Sequence, residues 1–183
     1  MIPRLKQLFG VGGDPPPEGG PQVRILMVCT GNICRSPTAE GVLRAKLQQA
    51  GLHTAFAVDS AGTQGYHTAE PPDPRAVRAA AARGYDISRL RARPMRPDDF
   101  ARHAWVFAMD RSHMDWLRKR QPAAAAAQCA LLMPLALRQT GVLEVPDPYY
   151  GGPAGFEHVL DLVEDACDGV VQRLQQRQPL VLA

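Results

Sequence analysis

Two cysteines, Cys29 and Cys34, lie in VRILMVCTGNICRSPTAE, the stretch from Val23 to Glu40. Cys29 ends an apolar run, and Arg35 follows it by six positions, directly before Ser36-Pro37. A thiol at a strand end, a loop containing Gly31 and Asn32, and a Ser-Pro helix start together describe an anion nest. Successive backbone N–H groups turn inward, and a helix N-terminus stands behind them. Gly31 tolerates positive φ, and Asn32 tolerates it better than most residues. The guest that suits such a nest is tetrahedral and multiply charged, which points to phosphate. The planar fork of Arg35 can bond two phosphate oxygens at once. The same surroundings favour a thiolate, because cysteines at helix N-termini or beside cations have pKa values of roughly 3.5–7.5 instead of about 8.5. Cys29 therefore reads as a nucleophile aimed at phosphorus. Thr30, Gly31, Asn32, Ile33, Cys34, Arg35 and Ser36 form the expected phosphate-binding set.

Displacing an alkoxide or phenoxide from phosphorus is easier when a proton reaches the leaving oxygen. The candidate acid is Asp147 in EVPDPYYGG, stiffened by Pro146 and Pro148. Tyr149 and Tyr150 follow at once and suggest the wall of a slot for a flat ring, with core packing the alternative for one of them. Other phosphate loops are excluded. The sequence has no Gly-Lys-Ser/Thr, and GVGGD follows no strand.

These residues need elements to position them. Val23–Val28 is a continuous apolar run, typical of a strand buried on both faces. Ser36 can cap a helix with Pro37 at its first position, and that helix stops at Gly51. AFAVDSAG, AWVFAMD and CALLM predict three further strands. Helices are predicted over Asp73–Arg83, from Asp110 or Ser112 to about Arg120, and along the apolar repeat from Phe156 to Leu174. The alanine tract Ala123–Ala127 is a low-complexity connection. The alternation predicts an α/β three-layer sandwich: a four-stranded parallel sheet with helices on both faces, flavodoxin-like and doubly wound. Such sheets carry their sites at the carboxyl ends of strands beside a switch in strand order. Cys29 ends the first strand. Asp147 follows the fourth, which brings it to the same edge.

The 183 residues suit one domain from residue 23 to 183, after a Pro/Gly-rich leader over residues 1–22 that cannot pack a core. A net charge of +3 without basic-aromatic interleaving argues against a nucleic-acid partner. No apolar run reaches a membrane span, and the N-terminus is a poor signal peptide, so the expected compartment is the cytoplasm, with reduced thiols. The four cysteines and five histidines show no metal-ligand spacing. Cys129, Cys167 and Trp105 read as core and Trp116 as helix packing. The arginines from Arg83 to Arg102 read as a solvated face, and His67, next to Tyr66, could edge the site.

VCTGNICRSPTAE, DSAGT, PPDPRAV, AMDRS and VPDPYYGG, in that order, resemble the low-molecular-weight protein tyrosine phosphatases over about Val23 to Arg177. The resemblance implies a cysteinyl-phosphate mechanism with no metal or cofactor. Cys29 would attack phosphotyrosine, Arg35 would clamp the phosphate, and Asp147 would serve as acid and then base. It further implies that Ser36 bonds the sulfur and that Asn32 holds the loop with Ser60 as partner. Tyr66 would stand at the slot entrance, and Cys34 would form a reversible disulfide with Cys29. Its partners would be tyrosine-phosphorylated proteins, a bacterial tyrosine kinase among them. Many such proteins carry a His where this chain has Leu90, bonded to two acids that correspond to Glu40 and Asp59. Three alternatives stand beside this reading. An arginine phosphatase would tend to carry Thr at Ile33. An arsenate reductase would need cysteines in Asp73–Met95, where none occurs. A binding module with a dead site would not need Asp147.

Overall fold

The structure, a computed structural model, describes residues 22–180. All but the last residue of the expected leader lie outside this range. Four strands form one sheet: β1 (Val23–Cys29), β2 (Phe56–Gly62), β3 (Trp105–Ala108) and β4 (Gln128–Leu131). All pairings are parallel, in the order β2-β1-β3-β4. The chain winds outward from β1 to β2, then crosses to the other side of β1. The strand order therefore reverses between β1 and β3, and Cys29 stands at the carboxyl end of β1 beside that switch point.

The helices are α1 (Arg35–Gln49), α2 (Pro74–Ala82), α3 (Asp99–Arg102), α4 (Arg111–Arg120) and α5 (Pro153–Gln175). The strand alternation divides the core into two layers. Ile25, Met27, Trp105 and Phe107 join α1, α2 and α5 on one face. Leu26, Val28, Val106 and Ala108 join Phe100 of α3 and Met114 and Leu117 of α4 on the other. Each fully buried apolar side chain contributes about 1.5–3 kcal/mol. This double burial explains why β1 reads as a continuous apolar run and not as an alternating one. The expected four-stranded parallel sandwich is the observed fold.

Several local expectations differ from the structure. Helix α1 starts at Arg35 with Cys34 in the cap position and no side-chain cap, so Ser36 lies inside the first turn. The Ser36 hydroxyl is already engaged by Asn32 and Cys29 and is not free to cap. Pro37 still falls where an N–H would be spare. Gly51 takes φ +71° just past the helix end. Helix α3 and a 3₁₀ turn at Met133–Leu135 were not legible in the sequence. The arginine run is only partly a solvated face. Arg83 is bound to Glu157, Asp161 and Glu164 of α5, and Arg93 bridges Asp59 and Asp99. Cys167 is fully buried, whereas Cys129 is half-buried on the edge strand. Trp116 packs partly against the second layer, with the Arg120 guanidinium 4.3 Å from its ring centroid.

Candidate active site

The loop after β1 curls over the start of α1. Among the described residues, the amide N–H groups of residues 30–34 donate no hydrogen bond to the protein's own acceptors. Backbone donors are seldom left unpaired, so these five groups belong to solvent or a guest. The uncapped α1 terminus adds its own spare donors and positive end. The loop's left-handed residue is Asn32 at φ 57°, not Gly31. Gly31 is small for a different reason: a Cβ there would lie 2.9 Å from the His67 ring. Gly62, at the end of β2, meets the loop still more closely. A Cβ there would sit 2.6 Å from the Thr30 carbonyl oxygen and 2.8 Å from that of Gln64.

Cys29 Sγ lies 3.0 Å from Ser36 Oγ, with both side chains buried. Asn32 Nδ2 donates to Ser36 Oγ and to Ser60 Oγ, each at 2.9 Å. Because Asn32 supplies that proton, the Ser36 O–H can donate to the sulfur at 3.0 Å, with the Ala61 carbonyl at 3.5 Å its other acceptor. Asn32 Oδ1 accepts from the Arg93 amide at 3.0 Å, which fixes the side chain's orientation. Ser60 in turn donates to Glu40. Burial raises the Glu40 pKa, and the Ser60 bond and the Arg44 charge oppose that rise. Arg44 Nη2 reaches Glu40 Oε1 at 2.7 Å. For Asp59, burial is outweighed by His103 and the Arg93 guanidinium, which hold its carboxyl below the usual range. Arg93 Nη2 is 2.7 Å from Asp59 and His103 Nε2 is 3.8 Å away. Leu90 packs against the core. The support that its apolar side chain cannot give comes from Arg44 and Arg93.

Arg35 is buried and its fork is divided. Nη1 donates to Asp110 Oδ2 at 2.7 Å and to the Val145 carbonyl at 3.2 Å. Nη2 donates to Asp147 Oδ2 at 3.0 Å. The Nη1 contacts anchor the guanidinium, and the Nε–Nη2 edge is left for two oxygens of a guest once Asp147 moves aside. Asp110 was legible only as a helix start. It caps α4 through the His113 amide and also orients Arg35. Burial would raise its carboxyl pKa, but Ser112, the His113 amide, His113 and Arg35 together lower it. His113 adds a second buried support through its Nε2, 2.8 Å from Thr30 Oγ1, while its Nδ1 lies 3.1 Å from Asp110 Oδ1 without making a hydrogen bond.

The remaining predicted residues line one cleft of about 270 Å³. Cys29, Ile33 and Cys34 form its floor, with Tyr66, His67, Asp147, Tyr149 and Tyr150 around it. Tyr66 and Tyr150 are largely exposed, and the Tyr149 and Tyr150 rings meet edge to face at 5.0 Å. Burial pushes the Cys34 thiol up to about 12, with Asp73 and Cys29 adding to the rise. A larger cleft of about 450 Å³ lies between α4 and β4, where Cys129 is the cysteine. It contains none of the predicted site residues. Among the described residues no cluster of His, Cys, Asp or Glu could hold a metal ion.

A buried thiol at the end of β1, a following loop of unpaired amides, a buried guanidinium and a carboxylate at the cleft mouth can together bind and attack a phosphate ester. Known proteins share this arrangement of chain. The pattern described as "Low molecular weight phosphotyrosine protein phosphatase" matches residues 24–180. A low molecular weight protein-tyrosine-phosphatase of Streptomyces coelicolor is 42% identical over 156 residues, covering 84% of this chain and 94% of that one. The crystal structure of an Entamoeba histolytica protein tyrosine phosphatase is 36% identical, with a TM-score of 0.81, covering 85% of this chain and 98% of that one. Vibrio vulnificus Wzb, solved in complex with benzylphosphonate, is 26% identical, with a TM-score of 0.72, covering 83% of this chain and 99% of that one. Since the match runs from β1 to the end of the described chain, the protein belongs to the low molecular weight phosphotyrosine protein phosphatase family.

Proposed function

We propose that this protein hydrolyses phosphotyrosine in proteins through a cysteinyl-phosphate intermediate. The observation that carries the proposal is the buried Cys29 sulfur beside Ser36, at the start of a loop whose amides have no internal partner. Phosphate binds in the loop and on the Nε–Nη2 edge of Arg35, displacing Asp147 from Nη2. The leaving oxygen of the ester then faces the Asp147 carboxyl. Cys29 thiolate attacks phosphorus and the P–O(aryl) bond breaks. Asp147 gives its proton to the phenolic oxygen. In the second step Asp147 takes a proton from water, which attacks the phosphocysteine. The thiolate leaves, stabilised by the Ser36 O–H, and inorganic phosphate is released.

The aryl preference rests on the cleft wall of Tyr66, Tyr149 and Tyr150 and on its floor at Ile33. The benzylphosphonate complex of the Vibrio vulnificus relative is in keeping with a ring in such a slot. Residues 23–183 act as one phosphatase domain in the cytoplasm, in keeping with four unpaired thiols and no described helix long and apolar enough to cross a membrane. When a peroxide oxidises Cys29 to its sulfenic acid, the neighbouring Cys34 thiol condenses with it, forming the S–S bond and releasing water, and so keeps Cys29 from over-oxidation. Tyrosine-phosphorylated proteins are the partners, with a bacterial tyrosine kinase the candidate to trap on Cys29→Ser. The deciding experiment compares phosphotyrosine peptide, phosphoarginine peptide and arsenate side by side, with and without EDTA. Phosphotyrosine should be turned over fastest, unaffected by the chelator. Preference for phosphoarginine, reduction of arsenate or loss of activity in EDTA would overturn the proposal.

A further inference from the structure

We propose that Arg75 is a positioning residue that couples the phosphate loop to the Asp147 loop and braces the aryl slot. This rests on the reaction assigned above but on different atoms. The Asp73 backbone N–H donates to the Ile33 carbonyl at 2.8 Å, which ties the start of α2 to the phosphate loop. The buried Asp73 carboxylate then grips Arg75 in a planar two-point bond, Nε to Oδ1 at 3.0 Å and Nη2 to Oδ2 at 2.7 Å. The remaining guanidinium nitrogen, Nη1, donates to the Gly151 carbonyl at 3.3 Å. The guanidinium carbon lies 4.7 Å from the Phe156 ring centroid and 5.6 Å from that of Tyr149. One cation therefore touches the phosphate-loop side, the acid loop and the slot wall.

The acid loop needs such a tie. Between buried Val145 and buried Phe156, only Pro148 of residues 146–152 is buried. Among the described residues, two side chains outside the loop hydrogen-bond to it: Arg35 through Asp147 and Arg75 through Gly151. A bound phosphate takes the Arg35 edge. Arg75 then remains to hold the loop while Asp147 delivers its proton. Its fork geometry is set by Asp73, which a lysine ammonium cannot reproduce.

The test measures kcat/KM on phenyl phosphate, a poor leaving group, and on 2,4-dinitrophenyl phosphate, a good one. The enzymes are wild type, Arg75→Met, Arg75→Lys, Asp147→Asn and the double variant Arg75→Met/Asp147→Asn. Arg75→Met should lose about tenfold more on phenyl phosphate than on the dinitrophenyl ester, the scale expected of coupled neighbours. In the Asp147→Asn background that extra loss should vanish. Arg75→Lys should keep part of the slot through its cation yet show the same extra loss, and it carries the test alone if Arg75→Met does not fold. Equal losses on both esters, or an extra loss that persists without Asp147, would overturn the role of Arg75. A wild-type protein inactive on both esters would instead refute the function itself.

Discussion

Replacing His113 by Asn should remove a specific dependence of stability on pH. The ring is almost fully buried between Thr30 and Asp110, beneath the phosphate loop. Burial lowers its pKa, the carboxylates of Asp110, Asp147 and Glu144 push the other way, and Arg35 assists burial. The result is a fall from 6.5 to about 4. As pH drops below 6.5, the unfolded chain takes up a proton on this ring that the folded protein refuses until about pH 4. Stability is therefore lost over that window, and below it His113 costs nothing more. At about 1.4 kcal/mol per pH unit the whole window is worth about 3 kcal/mol, of which about 2 kcal/mol is lost by pH 5. Glu40, whose pKa is raised, works in the opposite direction and gains stability as pH falls. It is common to both proteins and cancels in the comparison. Denaturant unfolding of wild type and His113→Asn at pH 7.5 and pH 5 gives the two differences directly. Whatever packing the substitution costs, the stability gap between the two proteins should shift by about 2 kcal/mol in favour of the variant on going to pH 5. A gap that does not change with pH would refute a buried, neutral His113.

Asp147→Asn should lower kcat/KM by roughly 10²–10⁴ for poor leaving groups and far less for good ones, and equal losses would remove Asp147 from the acid role. Ser36→Ala deletes the hydroxyl 3.0 Å from the sulfur. It should slow breakdown of the phosphoenzyme more than its formation, giving a larger burst with a slower steady state; an unchanged ratio would leave Ser36 a purely structural part of the loop. Gly62→Ala places a carbon 2.6 Å from the Thr30 carbonyl oxygen, so something in the backbone must shift. Inorganic phosphate affinity should fall at least about tenfold, the effect of displacing paired groups by a fraction of an ångström. Unchanged affinity would show that the loop has slack there.

The fold and the reacting atoms were legible because both rest on local pattern. A doubly buried strand gives itself away by its apolar run, and Cys29 and Arg35 sit in a string whose residue types leave few alternative uses; Asp147 reads as a candidate acid only beside that string, since its Asp-Pro setting alone is that of an ordinary turn. The supports were not legible, because each is a long-range pairing of ordinary residues. Asp110 looked like a helix cap and is one. Its second bond goes to an arginine 75 positions away, which nothing in AMDRS announces. His113 and Arg75 look like unremarkable surface residues of short helices until the sheet brings Thr30 and Gly151 to them. Ser36 had the chemistry of a cap but was drawn off by Asn32 and the sulfur. Gly31 carried a recognisable signal, but the loop's positive φ falls on Asn32, and what a side chain at Gly31 would meet is the His67 ring.

The most direct measurement is rapid acid quench of the protein during turnover of an aryl phosphate, followed by mass spectrometry of its peptides. One phosphoryl group should appear on the peptide bearing Cys29, and it should persist longer in Asp147→Asn. Steady turnover with no phosphorylated Cys29 peptide at any time, or with the phosphoryl group on another side chain, would contradict a sulfur nucleophile held in an anion nest.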